Sequence, residues 1–558
     1  MQTESISELI QSKARHFGPK LALCMRGGDP AERYTYRELD VASGTLAATF
    51  IDMGLEPDDR VAVLCEPRPR WGVAFFAILR AGGVVMPLDT RSPVAELHPI
   101  LAEAKPKILI VSATQEKTAA ELAETYGNDM LVMSVEPIDH SPSYPSMDSV
   151  ATNHGYPCVK REANDAAVLT YTSGTMGIAK GVVTTFGNLL FQIRTFRTVM
   201  QNDAHCKSVS ILPLSHLFEL TAGFLGLLYG GGQVCYVNSL LPDEITGAMR
   251  DQQVTCMVTV PLFLKLIVSA IRKEVARQSF LKRTMFTVIS RIAPLFPVRL
   301  RRRLFRPIHG KFGGRLEYFV CGGAPLELDT LKFFENIGLP VYQGYGLAET
   351  SPVIATNGPT GNRAGSVGKP LPGIEVRISD EDGGEILTRG PHVMRGYFHK
   401  DELTADIIDA DGWLHTGDLG QLDRDGYLFI SGRKKNVIVL GSGKNVQPEE
   451  LEATLFEHPD IQEGCVVGTV ASKGLLKGSE EVCAVAVASD DAIRRCGKAS
   501  EDINETLRHI IEQRALQLSP CKRPTRIVLR MDPLPRTSTR KVRRLDLQNW
   551  LTHEGVLI

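Results

Sequence analysis

The sequence predicts an α/β protein made of a large N-terminal domain of mixed sheets with helices and a small α+β C-terminal domain. Three observations carry this. At 558 residues the chain exceeds what one hydrophobic core ordinarily serves, so two or more domains are expected. From Arg60 onward short β-branched runs alternate with amphipathic stretches, which is the pattern of βαβ units. After Gly432 the texture changes: Arg433, Lys434 and Lys435 form a charged connector, and compact α+β sequence follows. The predicted domains are therefore 1–432 and 433–558.

The elements follow in order. Thr35 and Glu38 have capping-box spacing ahead of a helix with Leu39, Leu46 and Phe50 on one face, and Gly54 is its expected stop. A strand at Arg60 to Leu64, a helix at Trp71 to Arg80 and a strand at Val84 to Leu88 form a βαβ unit, right-handed by default. Ile108 to Val111 reads as another strand, and the Ser-, Pro- and Asn-rich stretch from Val135 to Glu162 as a surface excursion. Further on come a helix at Leu189 to Met200 and buried-strand runs at Val209 to Leu212 and Val254 to Val260. Beyond the connector, Pro448 and Glu449 open a helix with Leu451 and Leu455 on one side, and Ile503, Leu507, Ile510 and Ile511 mark another.

Composition narrows the function classes. A hydrophobic share of 43% against 23% charged residues is that of an ordinary globular protein. The formal net charge of -1 supplies no global field for nucleic acid, so no nucleic-acid partner is expected. Eleven cysteines are scattered singly, with no CxxC pair and no His cluster at metal spacing; they read as reduced core thiols of a cytoplasmic protein. MQTESISELI has neither a basic n-region nor an apolar h-region, so no signal peptide is expected. Leu220 to Leu241 carries no charge, but Gly230 to Gly232, Gln233 and Asn238 interrupt it, which argues against a membrane span.

Chemistry concentrates at Leu169 to Asn188. An apolar run from Ala166 to Tyr171 leads into Thr172, Ser173, Gly174, Thr175 and Gly177, then Lys180 and Gly181 and a second β-branched run. Strand, loop and strand of this composition make a polyphosphate cradle: glycines turn backbone N–H groups inward, hydroxyls add neutral donors, and the lysine adds a point charge. It is not a Walker loop, because Ala179 precedes Lys180 and Gly181 follows it. By itself such a loop is equally compatible with a solvated turn. His216 in PLSH, by itself, reads as a hydrogen-bonded core histidine. Strand-then-turn patterns recur at YFVCGGAP (318–325), VYQGYGLAETS (341–351) and WLHTGDLG (413–420).

Seven stretches in this order resemble the adenylate-forming superfamily of acyl-CoA synthetases, adenylation domains and luciferases. They are the cradle at 171–181, PLSH at 213–216, GGAP at 322–325, GYGLAET at 344–350, TGD at 416–418, GRKK at 432–435 and PRTSTRK at 535–541. The resemblance covers nearly the whole chain. It implies that Thr172, Ser173, Gly174, Thr175 and Lys180 hold the β- and γ-phosphates of ATP, and that Gly322, Gly323 and Ala324 with Tyr345 and Gly346 sandwich the adenine. Glu349 is the implied Mg²⁺ ligand, with Thr175 a second candidate, and Asp418 with Arg433 the ribose site. Lys541 is implied to bridge substrate carboxylate and α-phosphate, and with Glu349 and His216 it makes up the catalytic set. Lys435 takes the hinge position of a mobile C-terminal lid.

Some positions depart from the family pattern. Met176 and Ala179 replace commoner residues without removing a charge, Phe186 stands for a frequent histidine and Arg540 for a glycine, and none of these abolishes the implied mechanism. Ala348 stands where a hydroxyl residue often meets the α-phosphate, a loss of about 0.5 to 1.5 kcal/mol.

The implied activity is ATP-dependent conversion of a carboxylic acid to an acyl adenylate, followed by transfer to the thiol of coenzyme A. LPLSHLFEL at 212–220 and the long basic stretch after Pro261 look most like long-chain fatty acyl synthetases, so a medium- to long-chain fatty acid is expected. Two other readings stand beside it: a loader that passes the acyl group to a carrier-protein phosphopantetheine, and an inactive adenylate- or lipid-binding scaffold. Ile271 to Gly310 holds eleven basic residues against one acid, Glu274, with apolar residues interleaved. That pattern fits a solvated helical face or peripheral contact with the cytoplasmic face of a membrane; nucleic acid is a third reading, against which the near-neutral total charge counts.

Overall fold

The structure, a computed structural model, describes residues 5–27, 32–137, 144–149, 155–173, 179–380, 383–440, 445–470, 480–496, 500–536 and 542–553. Gly174, Thr175, Met176, Arg540 and Lys541 lie outside these. The chain forms two compact units, Met1–Val376 with Thr388–Leu414, and Arg377–Leu387 with His415–Ile558.

The first unit is built on three sheets. One has seven strands in the order Gly396–Tyr397, Ala179–Thr185, Ala166–Ser173, Val84–Pro87, Arg60–Leu64, Ile108–Val111 and Leu131–Ser134. Its middle is parallel, and Ala166–Ser173 turns back antiparallel onto Ala179–Thr185. The second has five strands, Cys256–Thr259, Tyr318–Cys321, Val341–Tyr345, Ala355–Thr356 and Lys369–Pro370, the first three parallel. The third pairs Arg33–Thr35, Leu21–Met25, Gln233–Tyr236 and Lys207–Ser210.

The predicted capping box forms: Thr35 accepts from the Glu38 amide and Glu38 accepts from the Thr35 amide, opening the helix Tyr36–Asp52. Several bounds differ from expectation. The helix expected from Trp71 starts at Pro69, whose missing N–H costs nothing at a first turn. The helix expected from Leu189 starts at Phe186, because Thr185 and Asn188 form a second capping box. The run at Val209 to Leu212 is only the tail of the strand Lys207–Ser210, which ends as the chain turns toward Pro213. Leu220 to Leu241 is a π-helical turn, Glu219–Leu225, then the helix Gly226–Tyr229 and the strand Gln233–Tyr236. Among the described residues no helix is long and apolar enough to cross a membrane.

The core of this unit fixes that π-helical turn. Phe224 sits edge-on to Trp71 and Phe75, at ring centroid distances of 6.0 and 5.8 Å. Buried aromatic pairs of this kind contribute about 0.5–1.5 kcal/mol each beyond their area.

The second unit contains most of a four-stranded sheet, Glu375–Ser379, Glu385–Arg389, Leu414–Leu422 and Leu428–Arg433, and a three-stranded sheet, Ile461–Val470, Glu480–Ala488 and Arg526–Arg530. The helices Pro448–Leu455 and Ser500–Ala515 bury Leu451, Leu455, Ile503, Leu507 and Ile511 in one apolar cluster. Ile510 is only partly buried.

Candidate active site

The cradle's flanks take the expected form. Tyr171 pairs with Gly181, Thr172 with Lys180 and Ser173 with Ala179 across an antiparallel ladder, so the residues between them connect two adjacent strands. Register also puts Lys180 at the mouth of the hairpin, where its ammonium group lies 4.8 Å from the centroid of the Tyr397 ring.

Tyr397 was not singled out in the sequence, and it joins two residues that were. Its hydroxyl donates to Glu349 Oε1 at 2.8 Å, while its ring faces Lys180. One phenol thus holds a carboxylate on its edge and a cation on its face, a contact of about 0.5–2 kcal/mol for the latter. The segment carrying Tyr397 is stitched to the cradle's second strand. Gly396 and Tyr397 pair with Val183 and Val182, Phe398 N donates to Gly181 O at 2.7 Å, and Lys400 Nζ donates to Ala179 O at 2.9 Å. Met394 N donates to Glu349 O at 2.9 Å, fixing the backbone under the carboxylate.

GGAP and GYGLAET follow the carboxyl ends of the neighbouring parallel strands Tyr318–Cys321 and Val341–Tyr345, where α/β sheets bind their ligands. Gly323 has φ +83°, a conformation that favours glycine, and Gly323 and Ala324 are exposed. At Gly346 a Cβ would fall 1.9 Å from Pro352 O, so only glycine fits behind Tyr345. Tyr345, Gly346 and Glu349 are half-buried, giving a surface with backbone on one wall and a carboxylate at its end.

Phe218, two residues past PLSH, lies next to the GGAP turn, since a Cβ on Gly322 would meet it at 3.1 Å. The His216 carbonyl accepts from Leu220 N at 3.0 Å. Glu219, also passed over in the sequence, is 1% exposed, and burial pushes its carboxyl up to about 8, against a smaller lowering by Ser210. It is therefore a neutral, protonated acid at pH 7.

In the second unit, Asp418 and Arg433 are cross-strand partners, with Arg433 Nε 3.0 Å from Asp418 Oδ1. Glu385 is the residue missed here. Its buried carboxylate accepts from Gly417 N at 2.9 Å and pairs with Lys434 at 3.0 Å, holding TGD within the strand Leu414–Leu422 rather than in the turn expected. Lys435 is exposed in the turn Lys434–Asn436 that follows. No sequence signal marks Glu385 or Tyr397, because each acts on residues more than about 30 positions away.

A divalent cation fits the donor set in one way. Among the described residues no group of three or more His, Cys, Asp or Glu side chains could hold a metal. Glu349 commits one oxygen to Tyr397. A single carboxylate suits a small hard ion that takes the rest of its shell from water and phosphate oxygens, as Mg²⁺ does.

Residues 10–398 match the family described as AMP-binding enzyme, and residues 450–541 match the AMP-binding enzyme C-terminal domain. The chain belongs to the AMP-binding enzyme family. Among similar proteins of that family is the long-chain-fatty-acid–CoA ligase FadD15 of Mycobacterium bovis, 30% identical over 462 residues, covering 76% of this chain and 73% of the relative. The long-chain-fatty-acid–[acyl-carrier-protein] ligase AEE15, chloroplastic, of Arabidopsis thaliana is 26% identical over 547 residues, covering 83% and 75%. The crystal structure of ATP-bound MatB from Rhodopseudomonas palustris superposes with a TM-score of 0.77 at 27% identity, covering 99% of this chain and 100% of that one. The AMP-binding fold, a large N-terminal α/β domain followed by a small C-terminal one, is therefore that of this chain.

Proposed function

We propose that this AMP-binding enzyme is an AMP-forming acid–thiol ligase that activates a medium- to long-chain fatty acid with ATP and transfers the acyl group to coenzyme A. One observation carries the reading. Lys180 and Glu349, far apart in sequence, converge on Tyr397 beside the two glycine turns at the carboxyl ends of parallel strands. That arrangement offers a polyphosphate a cation, an anchored carboxylate and a backbone wall. Similarity to a relative named as a long-chain-fatty-acid–CoA ligase supports the acid and the acceptor.

The chemistry needs these groups. A carboxylate cannot expel oxide, so its oxygen attacks the α-phosphorus of ATP; the bond to the β-phosphate oxygen breaks and pyrophosphate leaves. A thiolate then attacks the acyl carbon of the mixed anhydride, and the bond to the phosphate oxygen breaks with AMP as the leaving group. Both partners of the first step are anions, so cations must neutralise their approach. In this reading Thr172, Ser173, Gly174, Thr175 and Lys180 hold the β- and γ-phosphates, and Lys541 spans carboxylate and α-phosphate. Gly322 to Ala324, Tyr345 and Gly346 enclose the adenine, and Asp418 with Arg433 takes the ribose. Mg²⁺ at Glu349 would supply further charge neutralisation on the phosphates. His216 and Phe218 border the acyl site, where each buried CH₂ contributes about 0.8 kcal/mol. Lys435 serves as the hinge through which the C-terminal domain, from residue 433, removes Lys541 after the first step.

A carrier-protein phosphopantetheine is the second acceptor reading, favoured by similarity to a relative named as an acyl-carrier-protein ligase. We place the basic stretch 271–310 at the cytoplasmic face of a membrane. The test is pyrophosphate release across a chain-length panel of acids with coenzyme A, holo-carrier or no acceptor. Release that depends on a fatty acid, with acyl-CoA formed, supports the reading. Faster transfer to holo-carrier replaces the acceptor, and no acid-dependent release refutes adenylation.

A further inference from the structure

Two pairs of thiols stand side by side in the first unit. Cys24 and Cys235 are register partners on parallel strands, 5 and 0% exposed. Cys206 immediately precedes the strand Lys207–Ser210, and Cys256 opens the strand Cys256–Thr259. Their neighbours bind each other: Lys207 N donates to Thr255 Oγ1 and Thr255 N to Lys207 O, both at 2.9 Å, and Cys256 Sγ lies 4.0 Å from that carbonyl. Asp203 N donates to Cys206 Sγ at 3.4 Å. A hydrogen bond from Cys256, helped by Asp203 N, brings the Cys206 thiol below its ordinary value, against burial and the Asp203 and Glu317 carboxylates, which raise it. Cys256 itself is pushed up by that bond and by burial. Cys206 is therefore the readier nucleophile of the two.

What sets the Cys206 pair apart is access. Cys206 is half-buried, and a cavity of about 790 Å³ is lined by Lys20, His205, Lys207, Arg302 and Arg315, with Glu317 the one acid on its wall among the described residues. His205 and Lys207 flank Cys206 in the chain, and Thr255, also on the wall, precedes Cys256. Burial lowers the Lys20 ammonium and Cys206 opposes that lowering, so this cation stands near the sulfur. Among the described residues Lys207, Arg302 and Arg315 have no ion-pair partner. An electropositive, partly exposed setting is where thiols react, whereas thiols buried in apolar surroundings are inert. The cavity opens at the amino ends of Lys207–Ser210, Cys256–Thr259 and Tyr318–Cys321, opposite the strand ends that carry the glycine turns. It is thus separate from the nucleotide site.

We propose that Cys206 and Cys256 form a redox-active thiol pair that reacts with anionic low-molecular-weight disulfides entering this cavity and closes to an intramolecular disulfide. The cations hold the carboxylates of the incoming molecule. The Cys206 thiolate attacks one of its sulfurs, the S–S bond breaks, and a small thiolate leaves with the bonding electrons. Cys256 gives its proton to that thiolate and attacks the Cys206 sulfur of the mixed disulfide. The second small thiolate departs and takes up the proton Cys206 had released. Two protein thiols are thereby oxidised while one small disulfide is reduced to two thiols. The change is reversible, as suits thiols otherwise kept reduced. It ties together the starts of two strands whose far ends carry PLSH and, through Gly322 N donating to Thr259 O at 3.3 Å, the GGAP turn. It does not depend on which acid or acceptor the enzyme uses.

Reduced, folded protein incubated with oxidised glutathione, an anionic disulfide, or with cystamine, a cationic one, and followed by intact mass and peptide mapping, tests it. With oxidised glutathione, wild type should lose two hydrogens, retain no glutathione and yield a peptide joining Cys206 to Cys256. Cys256→Ala should instead retain one glutathione on Cys206. Cys206→Ser, at a half-buried position that leaves the core untouched, should leave Cys256 reduced. Cys24 and Cys235, equally close but enclosed, should stay reduced in all three proteins. K207Q/R315Q should slow the reaction with oxidised glutathione about tenfold, an effect that shrinks with salt, and should not slow the reaction with cystamine. Cys206 staying reduced in folded wild type, under conditions that oxidise the urea-unfolded chain, overturns the proposal. So does a glutathione adduct that persists on Cys206 of wild type, since Cys256 would then not resolve it. Oxidation of Cys24 and Cys235 at the same rate would overturn the role of the cavity, and equal slowing with both disulfides the role of its cations.

Discussion

Tyr397 earns its place by touching two groups at once, and the two contacts can be separated. Tyr397→Phe keeps the ring under Lys180 but removes the 2.8 Å hydrogen bond to Glu349. A hydrogen bond to a charged group is worth about 1.5–3 kcal/mol, so kcat/KM for acid-dependent pyrophosphate release should fall about tenfold to hundredfold. Unchanged kinetics would remove Tyr397 from the site. Glu219 supports a different test. Its carboxyl titrates at about 8 in the fold against 4.5 unfolded, so between those values the folded state keeps a proton the unfolded state has lost. Stability must then fall as pH rises through that window. Glu219→Gln should flatten the fall in Tm between about pH 5 and about pH 8; parallel profiles for variant and wild type would show that Glu219 is not responsible. At this scale Lys180 and Glu349 stand out in the sequence as charges in glycine-rich settings, and the fold brings both to Tyr397. Tyr397, Glu385 and Glu219 stayed hidden, since their importance comes from partners or burial that only folding supplies.

The helix Phe186–Met200 shows how one element braces the site. Asn188, besides completing the cap with Thr185, donates its side-chain amide to Pro391 O and Val393 O at 2.8 and 2.9 Å. Gln192 does the same for Thr350 O and Val353 O at 2.9 and 2.7 Å. The helix thereby ties down the stretch leading to Tyr397 and the turn containing Glu349. Asn188→Ala removes a cap interaction and orphans two carbonyls, so it should cost about 2–3 kcal/mol in denaturant unfolding; a loss under about 0.5 kcal/mol would mean the brace is redundant. Local signals of this kind were only half legible. The Thr35–Glu38 box stood out by its spacing, whereas Thr185–Asn188 uses a partner outside the usual Glu/Gln pattern and shifted a helix start by three residues from the Leu189 expected. The pairing of Gly396–Tyr397 with Ala179–Thr185 could not be read at all, because nothing in a two-residue strand names its neighbour.

For the whole molecule, the motif order along the chain was enough to identify an AMP-binding enzyme, and the match over residues 10–398 and 450–541 agrees with it. The proposed division of labour between the domains makes a step-specific prediction. Lys541→Ala should suppress adenylation while sparing thioester formation from supplied acyl adenylate, and equal loss of both would contradict a lysine that leaves after step one. Everything in this mechanism depends on attack at the α-phosphorus. The direct measurement is a single turnover with fatty acid and ATP radiolabelled at that phosphorus, in the absence of thiol. The label should appear in an acyl adenylate and pyrophosphate should be released. Label appearing in ADP, with acyl phosphate as the other product, would contradict it.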